Sequence, residues 1–165
     1  MKLYIKEKVF SWGDRFTVKD EWGNDKYIVQ GEVFSWGKKL HVYDIAGNEA
    51  AFIKQEVWSF MPRYYVFCGG QQVAEIKKEF SFLFPRYSVV GLGWDIEGSL
   101  SAHSYEILQN GHPVVTIEKE WMTWGDCYEL NIENPQDELV ALAVVLAIDC
   151  VTESNSGVSI SISNN

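Results

Sequence analysis

The sequence predicts a mainly β fold: a twelve-stranded antiparallel barrel enclosing a central hydrophobic C-terminal α-helix over about 135–150. Three observations carry this. Turn signals recur about every ten residues, from Gly13-Asp14 and Gly23-Asn24 to Asn110-Gly111 and Gly125-Asp126, the spacing of a meander or barrel. A hairpin-sized motif repeats along the chain. The run Leu139 to Ile148 is aliphatic throughout, so as a helix it has no polar face and must be enclosed.

The repeat accounts for the strands. KEKVFSWGDRFTVKD (6–20) returns as QGEVFSWGKKLHVYD (30–44), and looser copies follow at 54–67, 77–90 and 118–132. Each copy holds an aromatic cluster, a Gly or Pro turn and an alternating strand, which reads as one β-hairpin. A degenerate copy is expected over Trp94 to Ile107, with its second strand near His103 to Leu108. Six hairpins give twelve strands. In the second strands Phe16 and Val18, Leu40 and Val42, Tyr64 and Val66, Tyr87 and Val89, and Tyr128, Leu130 and Ile132 share one face, which should point inward. The first strands, such as VFSW and VWSF, alternate poorly; a bulge or a second covered surface would explain them.

The helix fits the space the strands leave. Asn134 is placed as N-cap, Pro135 at the first helical position, and Asp137 and Glu138 in the first turn, where the helix dipole favours negative charge. A membrane span needs about 20 apolar residues, and this run is about half that. A barrel of twelve strands leaves an interior that side chains alone fill poorly, and a helix about 10–12 Å across plugs it. The expected domain is 1–151, followed by a Ser- and Asn-rich, flexible tail over 152–165 in which VSISIS (158–163) is the alternative edge strand.

Composition narrows the function. The 165 residues carry a formal net charge of −9, which disfavours nonspecific binding to nucleic acid. MKLYIKEK at the start is charged throughout and is not a secretion signal. Cys68, Cys127 and Cys150 are an odd number without metal-like spacing, which together point to free thiols and a cytoplasmic protein. His41, His103 and His112 are scattered. His41 should face outward beside Leu40 and Val42, and His112 falls at a turn. No HExxH, GxSxG or phosphate-loop motif is present, and GLGWDIEG (91–98) has no helix after it to hold a phosphate. The acidic turn Asp20, Glu21, Asn24, Asp25 fits no EF-hand loop and reads as a solvated hairpin turn. The expectation is a non-enzymatic protein with no cofactor, no metal and no transmembrane segment.

One pattern carries a binding hypothesis. In an up-and-down barrel the turns near 13, 37, 62, 85 and 125 crowd one rim. The residue opening each second strand is then Arg15, Lys39, Arg63, Arg86 and Cys127, with Lys38 beside Lys39: four of five equivalent positions are basic. Asp20, Glu21, Asp25, Asp44, Glu49, Asp137 and Glu138 fall at the other rim. Arg15, Lys38, Lys39, Arg63 and Arg86 therefore form a candidate anion site; the alternative is that each caps its turn or pairs with a nearby carboxylate. Trp12, Trp36, Trp58, Trp121 and Trp124 occupy equivalent pre-turn regions. Packing over the rim is their expected use, and an interfacial girdle the alternative.

The repeated FSWGDRFTVKD and FSWGKKLHVYD, the PRY turns at 62–64 and 85–87, IEKEWMTWGDCYELNI and the closing ALAVVLAID resemble the LURP-one-related family. That family belongs to the tubby C-terminal-like superfamily, with the phospholipid scramblases. The resemblance covers residues 1 to about 150 and implies a twelve-stranded barrel around an apolar C-terminal helix. It implies no settled activity. Its better-understood relatives work at membranes, so an anionic lipid headgroup is the expected ligand, with peripheral membrane association. The chain lacks the tubby N-terminal regulatory region, the scramblase Pro-rich N-terminus and lipidated Cys cluster, and a C-terminal extension long enough to anchor it, so lipid transport is not expected. The alternative is a regulatory protein acting through protein–protein contacts in stress or transcription-related signalling.

Overall fold

The structure is a computed structural model that describes residues 1–6, 15–32, 35–80, 86–122 and 125–156. Twelve strands run β1 (Lys2–Lys6), β2 (Arg15–Asp20), β3 (Asp25–Gly31), β4 (Lys39–Asp44), β5 (Glu49–Gln55), β6 (Arg63–Cys68), β7 (Gln71–Glu79), β8 (Arg86–Val90), β9 (Trp94–Ser99), β10 (Ser104–Gln109), β11 (His112–Met122) and β12 (Gly125–Ile132). Each pairs antiparallel with its neighbours in sequence, and β1 pairs with β12 to close the barrel. Closure removes the two edges that an open sheet would leave exposed.

Alternation sets the inside. Phe16, Val18, Leu40, Val42, Tyr64, Val66, Val89, Tyr128, Leu130 and Ile132 are buried, and Tyr87 packs partly buried against them. The repeat extends to the irregularities. Pairing shifts register between Val18 and Lys19, between Val42 and Tyr43, and between Val66 and Phe67, the same place in three successive copies. Such bulges bend and twist a strand, and repeated at one level they curve the sheet toward closure.

The turns at the far end from Arg15 are built by carboxylates. Asp20 Oδ1 accepts from the Trp22 and Asn24 amides at 3.0 and 2.8 Å, and Asp44 Oδ1 accepts from the Asn48 amide at 2.8 Å. The Asn24 and Asn48 amide groups donate to the second oxygens. These carboxylates are committed to turn geometry, the role a solvated hairpin turn requires.

A 3-10 turn at Pro135–Asp137 leads into helix α1 (Glu138–Ser156). Asn134 caps that turn, accepting from the Gln136 amide at 3.1 Å. Every residue from Ala141 to Ile148 is fully buried, with burial of each large aliphatic side chain stabilising by about 1.5–3 kcal/mol. Lys26 Nζ lies 2.8 Å from Glu138 Oε1 and the Tyr27 hydroxyl donates to the same oxygen at 3.0 Å, fixing the helix N-terminus at the acidic end. The helix runs past Cys150, the end read from the aliphatic run. Val151 is fully buried, and the Thr152 hydroxyl is satisfied by the Ile148 and Asp149 carbonyls at 3.1 and 2.9 Å. Among the described residues no helix is long and apolar enough to cross a membrane. The segment 158–163 lies outside the described residues.

The aromatic clusters differ from expectation. Ser35 and Trp36, and Val57 to Phe60, are loop rather than first strand of a hairpin. The strands entering these loops are instead the alternating segments β3 and β5. The poor alternation of VWSF has this cause: no pleated face is being built there. Val33 and Phe34 lie outside the described residues. VFSW at 9–12 lies outside the described residues.

Candidate functional site

All loops that follow odd-numbered strands gather at one end of the barrel, here the basic–aromatic end. Arg15, Lys39, Arg63 and Arg86 open β2, β4, β6 and β8 at this end. They do not converge on one pocket. They stand on every second strand of the closed barrel, so Arg15 and Arg86 lie on opposite sides of the rim.

Three of the five predicted cations have carboxylate partners. Lys39 Nζ lies 2.9 Å from Glu32 Oε2, Lys38 Nζ lies 3.7 Å from Glu153 Oε2, and Arg63 Nε lies 3.2 Å from Glu75 Oε1. These partly exposed pairs contribute little to stability. Arg15 and Arg86 are exposed, and among the described residues no ion pair engages either.

The aromatic side chains depart from the packing expected of them, and Phe60 and Phe80 join them without a sequence expectation. Trp36 is 82% exposed, Trp58 88%, Phe60 98%, Phe80 74% and Trp121 78%. For Trp36, Trp58 and Trp121 this replaces packing with open presentation to solvent; Trp12 and Trp124 lie outside the described residues. The cause is local. The Ser35 hydroxyl donates to the Gly37 carbonyl at 2.7 Å, and the Ser59 hydroxyl donates to the Met61 carbonyl at 2.6 Å. Both bonds bridge the aromatic residue between them, so the serine fixes a tight tip that holds Trp36 or Phe60 outward. Serine bonding its own neighbouring backbone is a known turn device. The signal was present in the sequence: Ser-Trp-Gly and Ser-Phe-Met occupy one position of the repeat.

Gly37 completes the first tip. Its φ is +78°, and a Cβ there would come within 2.7 Å of Val57 Cγ2 in the next loop. Beside it, Trp58, Phe60, Met61 and Arg63 line an open cleft of about 390 Å³ with Glu56 at its edge. The Tyr65 hydroxyl donates to Glu56 at 2.5 Å, which anchors that edge to the barrel wall.

A second polar group lies under the same end. Asp149 on α1 is 4% exposed and accepts a short hydrogen bond from the Tyr128 hydroxyl. His103 Nε2 stands 3.5 Å from the other Asp149 oxygen, and its ring stacks on Tyr128 at 4.4 Å. Burial, the negative charge of Asp149 and that hydrogen bond together raise the Tyr128 hydroxyl well above its usual pKa. Tyr128 is therefore a fixed donor that holds a buried carboxylate. His41 does face outward, as the alternation requires. Nδ1 and Nε2 meet Glu49 and Glu32 at 2.5 and 2.9 Å.

Among the described residues no group of His, Cys, Asp or Glu is arranged to hold a metal. Cys68, Cys127 and Cys150 are free thiols.

The LURP-one-related family profile matches residues 1–149. The chain belongs to the LURP-one-related family. It is 31% identical over 160 residues to the uncharacterised protein YxjI of Bacillus subtilis strain 168, covering 97% of this chain and 99% of that one. The X-ray structure of an Arabidopsis thaliana protein superposes with a TM-score of 0.62 at 17% identity, over 90% of each chain. The last likeness is one of fold alone.

Proposed function

We propose that this LURP-one-related protein is a non-enzymatic binding module that docks by its basic–aromatic end onto an anionic membrane surface. The observation that carries the reading is the presentation of Trp36, Trp58, Phe60 and Phe80 on loops, and of Trp121 near the end of β11, at the end that also bears Arg15 and Arg86. Trp is favoured at the bilayer interface, where its apolar ring and polar N–H are both accommodated. The cations supply attraction to anionic headgroups within about a Debye length. The opposite rim, with Asp20, Asp25, Asp44, Glu49 and Asp137, is repelled by the same surface and so orients the molecule.

The arrangement supports a distributed face rather than a single headgroup pocket, because the cations are spaced around the rim and three are already paired. Vesicle co-sedimentation tests this. Binding to vesicles containing phosphatidylserine or phosphoinositide should exceed binding to neutral vesicles and weaken as salt rises from low to physiological. Equal binding to neutral vesicles, or none to any, contradicts it.

A further inference from the structure

The barrel wall is incompletely joined at one seam. β8 pairs with β7 over five residue pairs, from Glu75↔Val90 to Glu79↔Arg86. It meets β9 through the single pair Val89↔Trp94. β9 is paired with β10 along its whole length. It is held there closely: a Cβ at Gly98 would stand 2.7 Å from the Ser104 carbonyl oxygen and from Tyr105 Cα. Toward the Arg86 end β8 and β9 therefore part.

Between them lies a cavity of about 390 Å³, open on one side. Arg86, Tyr87 and Ser88 form one wall, Ile96 and Gly98 the other, and Leu100 the inner end. Ser88 Oγ is buried there without a hydrogen-bond partner. Glu79 and Asp95 also border the opening.

Two strand segments facing each other across a gap form a template for a further strand. The parted edge of β8, Arg86 to Ser88, is three residues, or about 10 Å of extended chain. The lining is mainly polar, which suits a peptide backbone better than an acyl chain. Arg86 at the mouth is complementary to one carboxylate, and Glu79 and Asp95 disfavour a second.

We propose that the β8–β9 seam receives an extended peptide segment of a partner protein. The segment adds as a strand along Arg86–Ser88 and sets one acidic side chain against Arg86. This site is separate in chemistry from the membrane face, though Arg86 borders both.

The test uses the full chain, isotope-labelled, titrated with a blocked heptapeptide of alternating Val and Thr around one central Glu. Controls carry a central Lys, or a Pro that removes a strand donor. The Glu peptide should shift the amides of Arg86–Val90 and Trp94–Ser99. The Lys peptide should bind about tenfold more weakly or worse, and the Pro peptide should not bind. Ser88→Trp, which fills the gap, should abolish binding. Arg86→Gln should weaken only the Glu peptide, and decides the matter if Ser88→Trp does not fold. No shifts at millimolar peptide, shifts elsewhere on the barrel, or undiminished binding by both variants would overturn the proposal. So would protection of these amides by anionic vesicles and not by peptide; that result assigns the seam to the membrane face. Loss of vesicle binding with peptide binding intact would remove the membrane reading alone.

Discussion

At the scale of single residues, His41 shows how the outer wall is tied together. Burial disfavours its charged form, but hydrogen bonds and attraction from Glu49 and Glu32 outweigh this, so its pKa is raised. A raised folded-state pKa stabilises fully below the unfolded value of about 6.5. That contribution is lost as pH rises through the folded pKa. Urea unfolding from pH 5.5 to 9 should show the wild type losing stability over this window, and His41→Gln should flatten the profile there. Parallel profiles would show that the clamp has no linkage to folding. Gly37 makes a second prediction at this scale. Its left-handed backbone costs any other residue about 1–2 kcal/mol, and the Val57 contact adds to that. Gly37→Ala should lower unfolding free energy by about 1–2 kcal/mol or more in the same assay. The outward placement of His41 was readable from the alternation of Leu40, His41 and Val42. Its two carboxylate partners were not, because Glu32 just beyond β3 and Glu49 in β5 reach it across a register the sequence does not state.

At the scale of elements, the central helix is the most predictable part of the molecule and the most sensitive. Ala141 to Ile148 are all fully buried, so an unpaired carboxylate placed among them costs several kcal/mol or more. Total stability is about 5–15 kcal/mol. Val144→Asp should therefore abolish the cooperative thermal transition, and a melt like the parent's would contradict the enclosed-helix account. The helix was legible because an aliphatic run of that length has few alternatives. Its extension to Ser156 was not, since Thr152 and Glu153 look like the start of a polar tail. The helix end is held by contacts made elsewhere in the chain: Asp149 with Tyr128 and His103, and Glu153 with Lys38. The loops carry the reverse lesson. Trp and Phe report burial in most sequences, so Trp36, Trp58 and Trp121 read as packing residues. The serine bonds that turn such tips outward depend on backbone geometry that only the folded loop reveals. Because Trp58 and Phe60 are exposed, the double variant Trp58→Ser, Phe60→Ser should change stability by no more than about 0.5 kcal/mol per site. It should cut vesicle binding more than tenfold, as expected if each ring contributes about 1.5–3 kcal/mol when removed from water. Stability is read by urea unfolding and binding by co-sedimentation.

At the scale of the whole molecule, the up-and-down order sorts chemistry to the two ends. Acidic turns and the helix N-terminus occupy one, and aromatic tips, the helix C-terminus and the exposed Arg15 and Arg86 the other. The repeat made this polarity readable before the fold was seen, since equivalent positions in equivalent hairpins must lie at one level. What the repeat did not reveal was the extent of pairing among the cations, which shifts the weight of the docking face from charge toward the aromatic loops. The proposed docking requires these loops to enter the bilayer interface. The most direct measurement is quenching of Trp fluorescence by anionic vesicles containing brominated phospholipid. Docking by this end predicts quenching that falls in the Trp36→Phe, Trp58→Phe, Trp121→Phe variant while its binding to unlabelled vesicles persists. Vesicle binding without quenching, or quenching unchanged in that variant, would contradict it.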